Sequence, residues 1–298
     1  MDIHCLNSQE LDGAMLFNGD CVEVTKQLPD RSIDYSVYSP PFSNVFVYSD
    51  SERDMGNCVN DDEFFDHYKF LIEEIYRLTR PGRLTSVHCS NLPMHKFKDG
   101  HIGIKDFRGD IIKAHIEKGW IYHSEVVIWK CPLIEATRTK ALGLLYKQVQ
   151  KDSTMSRQGM PDYIVTFKKY DPDHEDEISM VKKDPNEFSQ QDWRNLASPV
   201  WMDINQTNVL NVREARDNAD EKHICPLQLD VIERCLKLWT NPNDVVLSPF
   251  MGIGSEGYVS AQMGRRFIGI ELKPIYFEKA IANIQSVKNQ GVLFESAC

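Results

Sequence analysis

Ser39-Pro40-Pro41-Phe42 follows Asp34-Tyr35-Ser36-Val37-Tyr38, a run that reads as a buried strand. Proline has no backbone N–H, so the turn presents carbonyls and a hydroxyl with few competing donors. Such a turn suits a ligand amino group. Two N–H bonds, into the Ser39 hydroxyl and the Pro40 carbonyl, would draw an aromatic amine toward tetrahedral geometry and free its lone pair to attack. Phe42 could stack on the flat heterocycle carrying that amine, as a flipped base is held. Alone, the same residues also describe a strand ending with Phe42 in the core. Far downstream, Asp244-Val245-Val246-Leu247 reads as a strand, Pro249 to Gly254 as a glycine loop, Ser255 to Met263 as a helix, and Arg266 to Glu271 as a strand ending in an acid. Glycines let a ligand approach the backbone at the C-terminal edge of a sheet, and Glu271 could accept both hydroxyls of a ribose. Gly257 is out of phase for a GxGxxG dinucleotide clamp.

The elements that must carry these groups alternate. A short helix is expected over Val22 to Leu28, a strand over Ser32 to Tyr38, and a mobile loop over 43–60. Apolar residues at helical spacing from Phe64 to Leu78 predict a helix that starts at Asp61 and stops at Pro81-Gly82. Leu84 to His88 and Ser124 to Trp129 read as strands on either side of a helix over Asp106 to Lys118. Tyr163 to Phe167 is one more strand in a stretch, 131–222, where the rhythm is otherwise lost. Pro226 to Trp239 then reads as an amphipathic helix, and Tyr276 to Val287 as a final one. The pattern predicts an α/β sheet, and no internal repeat is found.

The 298 residues carry a net charge of −10, which by itself argues against a polyanionic partner. The charge is uneven, however. Residues 1–80 hold 16 acids and 6 bases, whereas 96–158 hold 12 bases and 7 acids, so a basic face on an acidic protein is expected. The eight cysteines show no CxxC pair and no His/Cys cluster at zinc spacing, which predicts reduced structural thiols and no metal. No apolar run is long enough to span a membrane, and the first residues lack the basic and apolar segments of a signal peptide, so a soluble cytoplasmic protein is expected.

Together, "SPPF" upstream and "SPFMGIGS…FIGIEL" downstream resemble the β-class DNA amino-methyltransferases, in which the catalytic motif precedes the target-recognition region and the S-adenosylmethionine motif comes last. "NGDCVEV", "RLTRPGRL", "GW…VVIWK" and "EKHICPLQLDVIERCLKLWT" add to the likeness. The resemblance implies a Rossmann-like methyltransferase sheet with an inserted target-recognition region. The divisions would be 1–130 for the catalytic half, 131–222 for target recognition, and 223–298 for the cofactor half. Ser39, Pro40, Pro41 and Phe42 match the catalytic tetrapeptide. Phe250, Gly252, Gly254 and Ser255 match the cofactor loop, Glu271 the ribose acid, and Asp20 with Cys21 the segment beside the adenine. His223 and Pro226 match the stretch covering the methionine end. One departure is Ser248, where the family usually has the aspartate of "DPFxGxG".

The implied reaction is direct methyl transfer from S-adenosylmethionine to an exocyclic amine of double-stranded DNA, with neither a covalent enzyme intermediate nor a metal. Catalysis would rest on positioning and amine polarisation, since a serine hydroxyl is a feeble base. In the family SPPF usually accompanies N4 of cytosine and DPPY N6 of adenine, so Ser39 favours cytosine, with adenine as the alternative. Arg138, Lys140, Lys147, Lys151 and Arg157 are the phosphate candidates. Members often pair as homodimers. Two rivals remain: an RNA or protein-amide methyltransferase, which normally places its glycine motif before the Pro-Pro motif, and a non-catalytic DNA-binding relic, suggested by Ser248 and the acidic balance.

Overall fold

The computed structural model describes residues 3–42, 55, 58, 60–139, 143–186, 188–211 and 226–295, with the side chains of 61, 98, 137–139 and 288–295 left aside. The expected loop over 43–60 falls mostly outside the described residues. A hairpin of β1 (Asn7–Leu11) and β2 (Ala14–Asn18) leads through α1 (Cys21–Thr25) to β3 (Ile33–Tyr38). Next come α2 (Asp61–Leu78), β4 (Thr79–Ser90), a ribbon of β5 (Leu92–Met94) and β6 (Gly103–Lys105) around α3 (Lys96–Asp99), then α4 (Phe107–Glu117) and β7 (Ile121–Ile128). Helices α5 (Pro132–Thr139) and α6 (Tyr146–Val149) precede β8 (Asp162–Lys168), and α7 (Gln190–Leu196) precedes β9 (Val200–Trp201). The chain closes with α8 (Leu229–Trp239), β10 (Val245–Ser248), α9 (Ser255–Gln262), β11 (Arg266–Glu271) and α10 (Pro274–Glu295).

Among the described residues, a nine-stranded sheet runs in the order β1-β2-β11-β10-β3-β4-β8-β7-β9. The strands from β2 to β4 in that order are mutually parallel, and β8 runs against both β4 and β7. Alternation of side chains divides the core between the two faces. Val245, Leu247 and Ile270 face the layer of α1, α2 and α4, whereas Val246 and Phe267 face α8, α9 and α10. The central strands are covered on both sides, and every residue of β3 and β10 is buried.

Several boundaries differ from the sequence expectation. Strand β4 begins at Thr79 and passes through Pro81-Gly82, which do not form a turn. Gly82 takes φ +73° there and its N–H bonds Lys169 O, and the register against β3 slips between Ile33 and Tyr35. A positive φ that only glycine adopts readily thus places an irregularity within the strand. The hairpin of β1 and β2 turns at Asp12-Gly13, with Gly13 at φ +78°.

The segment 131–222 is not one continuous insertion. Its strand β8 lies inside the main sheet between β4 and β7. Because β8 runs opposite to β7, the connection 129–161 leaves the sheet at the edge where β3 and β10 end. The residues after β8 leave at the other edge, where Ile178 packs on Gly82 and Asn241 bonds Met180 O and Lys182 N.

At that far edge Arg83, only 2% exposed, ties three strands together. Its Nε donates to Asp34 O, its guanidinium pairs with Asp244, and Asp34 Oδ2 accepts Val245 N at 2.8 Å. Removing one member of a buried ion network strands the charges that remain. Arg83→Met should therefore lower the unfolding free energy by about 3–5 kcal/mol, measured by urea denaturation.

His115 gives a pH test. Its ring stacks on Phe167 at 4.0 Å, its Nδ1 meets Ile111 O at 2.8 Å, and burial pushes it down to about 3. The unfolded chain binds this proton at ordinary imidazole values while the folded chain does not, so its contribution to stability is lost as pH falls from about 6.5 toward 3. Relative to His115→Phe, wild-type stability should fall over that window in paired denaturation curves.

Candidate active site

Parallel pairing sets the site. β3 and β10 are neighbours, with Val246 opposite Tyr35 and Leu247 opposite Ser36, so both strands deliver their C-terminal ends to one edge. Helix α2 leaves β3 toward one face and α9 leaves β10 toward the other, which opens a crevice at the point where the strand order reverses. Ser39-Pro40-Pro41-Phe42 and the glycine loop meet there despite their distance in sequence. Tyr38 and Phe250 link them, with ring centroids 5.9 Å apart, and the Tyr38 hydroxyl is tied to that of Tyr68 at 3.0 Å.

In the Pro-Pro turn, Pro40 is buried while Ser39 and Phe42 are half-buried. Phe42 rests edge-on against Phe107, at 5.9 Å, and lies 6.3 Å from the His88 ring. It therefore borders the core without being sealed inside it. Ser39 Oγ lies 3.1 Å from His88 Nδ1. The other ring nitrogen, Nε2, is 3.2 Å from Asp162 Oδ2, within ion-pair reach but off the hydrogen-bond line. Lys130 Nζ approaches the same carboxylate oxygen at 2.5 Å. Burial alone would raise the Asp162 carboxyl, but Lys130 and His88 together hold it well below the usual carboxylate range. His88, Asp162 and Lys130 are absent from the sequence-derived site. The only signals for them were polar residues in or beside strands, at His88 of "TSVHCS" and Asp162 of "PDYIV".

The cofactor-type half is built on backbone. Gly252 has φ +52° and Gly254 φ +88°; a Cβ on Gly254 would crowd Ala280 at 3.0 Å, while one on Gly252 would project into open space. Glu271 grips the loop, with Oε2 accepting Gly252 N and Oε1 accepting Lys273 N, both at 2.9 Å. Asp20 caps α1 through Oδ1, which accepts the N–H groups of Val22 and Glu23. Cys21 is buried, and burial followed by the nearby Asp20 charge pushes its thiol well above the ordinary value. It packs in the core beneath α1. Ser248 is fully buried with its Oγ unpartnered, Ser255 is buried at the start of α9, and Phe250 is half-buried. Next to them, burial pushes the Glu256 carboxyl up to about 8, with Glu271 adding to the rise. Pro226 is half-buried ahead of α8, and nearby Leu210 packs against Ile253 of the loop. His223 lies outside the described residues.

The basic candidates separate. Lys147 on α6 and Lys151 just beyond it are exposed, on the connection that leaves the sheet at the site edge. Arg157 is turned inward: its side chain is 8% exposed and faces the buried Glu135 at 3.5 Å. This guanidinium has an acid partner within the fold, which a run of bases in sequence does not reveal. Lys140 and the Arg138 side chain lie outside the described residues. Among the described residues no cluster of His, Cys, Asp and Glu could hold a metal ion, and no helix is long and apolar enough to cross a membrane.

Comparison with known proteins places this arrangement. The Type II methyltransferase M.BglII of Bacillus subtilis is 24% identical over 284 residues, 89% of this chain and 67% of that protein. M.Cfr9I of Citrobacter freundii is 25% identical over 310 residues, 95% and 91% of the two chains. Among solved structures, TTHA0409 of Thermus thermophilus, complexed with S-adenosyl-L-methionine, has TM-score 0.67 at 20% identity and covers 91% of this chain and 93% of its own. The cytosine-N4-specific PvuII DNA methyltransferase has TM-score 0.62 at 17% identity, covering 93% and 92%. The fold is thus the mixed α/β methyltransferase fold. Residues 33–283 match the N6_N4_Mtase family model, described as DNA methylase, and the chain belongs to that family of N6/N4 DNA methyltransferases.

Proposed function

We propose that the protein transfers a methyl group from S-adenosylmethionine to the exocyclic amine of a flipped base in double-stranded DNA, N4 of cytosine in preference to N6 of adenine. The observation that carries this reading is the convergence of the donor-poor Ser39-Pro40-Pro41-Phe42 turn and the glycine loop at adjacent parallel strand ends. When bound, S-adenosylmethionine supplies an electrophilic methyl on a sulfonium. The residues present fit it. Open space beside Gly252 admits the ligand against the backbone. Glu271, which accepts Gly252 N through Oε2 and Lys273 N through Oε1, is a carboxylate with about four acceptor directions, the chemistry a ribose diol requires. The orphan Ser248 hydroxyl offers an acceptor where the family usually has a carboxylate.

The turn does the rest. Ser39 Oγ and Pro40 O accept the amine hydrogens and aim the nitrogen lone pair toward the glycine loop, while Phe42 supports the base plane. The preference for cytosine rests on Ser39 as the tetrapeptide's first residue, and the fold shared with the PvuII enzyme is compatible with it. DNA would be gripped by the connection bearing Lys147 and Lys151, with base readout assigned to the same overhanging segment.

Incubation with tritiated S-adenosylmethionine and unmethylated genomic DNA should label the DNA, and Ser39→Ala should lower kcat about 100-fold with little change in cofactor affinity. Nucleoside mass spectrometry should then find N4-methylcytosine; N6-methyladenine alone would reverse the base assignment. Replacing Lys147 and Lys151 by Gln should reduce the slope of log K against log salt by about 0.9 for each phosphate no longer neutralised. An unchanged slope would remove this face from the interface.

A further inference from the structure

Ser39 does not stand alone, and its hydrogen bond has a direction. A serine hydroxyl has one donor hydrogen and two acceptor lone pairs. With Nδ1 of His88 facing Ser39 and Nε2 facing Asp162, the negative Asp162 favours the tautomer that carries its proton on Nε2. Nδ1 is then a bare acceptor and takes the Ser39 hydrogen, so both lone pairs of Oγ are left for the amine. Among the described residues, Asp162 on β8 pairs with the His88 ring, Lys130 after β7 pairs with that same carboxylate, and Ser39 and the Phe42 ring face His88 from the β3 side.

We propose that His88, oriented by Asp162, is the proton acceptor behind Ser39 during amine methylation. The inference rests on the amino-methyltransferase reading above. As the base nitrogen bonds to the methyl carbon, the carbon–sulfur bond breaks with its electron pair going to sulfur, and the nitrogen is left with one proton too many. That proton passes to Ser39 Oγ while the hydroxyl's own hydrogen moves to His88 Nδ1. Serine ends neutral and the imidazole becomes an imidazolium facing Asp162. The His88 side chain is 10% exposed, and it returns the proton to solvent after turnover. Lys130 plays against this, since it anchors Asp162 while cancelling part of its pull on the imidazolium.

A serine, histidine and aspartate in line also suggest acyl transfer, but the turn argues against it. An oxyanion hole commonly uses the N–H of the residue after the nucleophile. That residue is Pro40, which has none, and Pro41 follows it. The same prolines that make the turn an amine acceptor deprive it of oxyanion donors.

Nitrogen-15 correlation spectra of histidine-labelled protein, with His88 identified from the His88→Gln spectrum, read the arrangement without turnover. The expected result is a protonated Nε2 and a bare Nδ1 at neutral pH, with the Nδ1 resonance moved by Ser39→Ala; a proton on Nδ1 would overturn the proposal. In methyl transfer, His88→Gln should lower kcat about 100-fold while S-adenosylmethionine affinity by calorimetry changes less than about twofold. The acid limb of the pH–rate profile should move to lower pH in Asp162→Asn, which loses the charge favouring the imidazolium. It should move to higher pH in Lys130→Met, which frees that charge. A merely structural role would not shift the limb in opposite directions. Absence of methyl transfer by the wild type would overturn the reading on which the relay rests. Wild-type transfer with unaltered kcat in His88→Gln would overturn the relay alone.

Discussion

The pairing of β3 with β10 is the contact on which everything else depends. It joins the first part of the chain to the last, and short parallel strands provide few hydrogen bonds of their own. The pairing is fixed from below by a side chain: Asp34 on β3 accepts the Val245 N–H that opens β10, and Arg83 on β4 joins Asp34 to Asp244. A parallel strand slipped by two residues would still present its apolar alternation to both faces, so hydrophobicity alone does not define register here. The buried ionic lock does. Register in turn decides whether Ser39 and the glycine loop face each other, so a polar cluster at one edge of the sheet sets the geometry of the site at the opposite edge.

The two edges divide their work. At the far edge the ionic groups pair with one another: Arg83 and Arg80 both approach Asp34, Arg83 also pairs with Asp244, and Lys169 donates to Thr79 O. At the site edge several polar groups remain open. The Ser248 hydroxyl is buried without a partner, and Glu256 lies in a place that favours its neutral form. Buried polar groups are normally satisfied, and a site that must accept a ligand is where such exceptions belong. The glycine loop follows the same logic, since Gly252 has vacant space where every other residue type would put a side chain.

Much of this was legible in the sequence because it depends on local pattern. Apolar periodicity located α2, α4, α8 and most strands, and the fixed spacing of Phe250, Gly252, Gly254 and Glu271 revealed the strand, loop, helix and strand that carry them. What escaped depends on partners distant in sequence. β8 looked like an isolated strand in an irregular region because nothing local says that it pairs with β4 and β7. Pro81-Gly82 looked like a terminator because the N–H bond from Gly82 to Lys169 O is made across the sheet. The β1–β2 hairpin left the local cue of Asp12-Gly13, but its polar outer strand has no apolar alternation to reinforce it. The Glu135 beneath Arg157 was likewise invisible in a run of bases.

The same argument explains why Ser39 was visible and His88 was not. Ser39 sits in a tetrapeptide whose prolines have a chemical meaning wherever they occur, whereas a histidine in a strand has none until its neighbours are known. Its neighbours come from three separate strand ends, those of β3, β7 and β8, which only the folded sheet brings together. They also supply something the tetrapeptide lacks. A carboxylate at the first position of the turn would be a charged acceptor by itself, but a serine is neutral and needs its hydrogen held away from the amine. His88 can hold it only if Nδ1 is bare, and Asp162 secures that by facing Nε2. Choosing serine at the catalytic turn therefore transfers the requirement for negative charge from the turn to a buried aspartate behind it, where Lys130 and the fold set its strength.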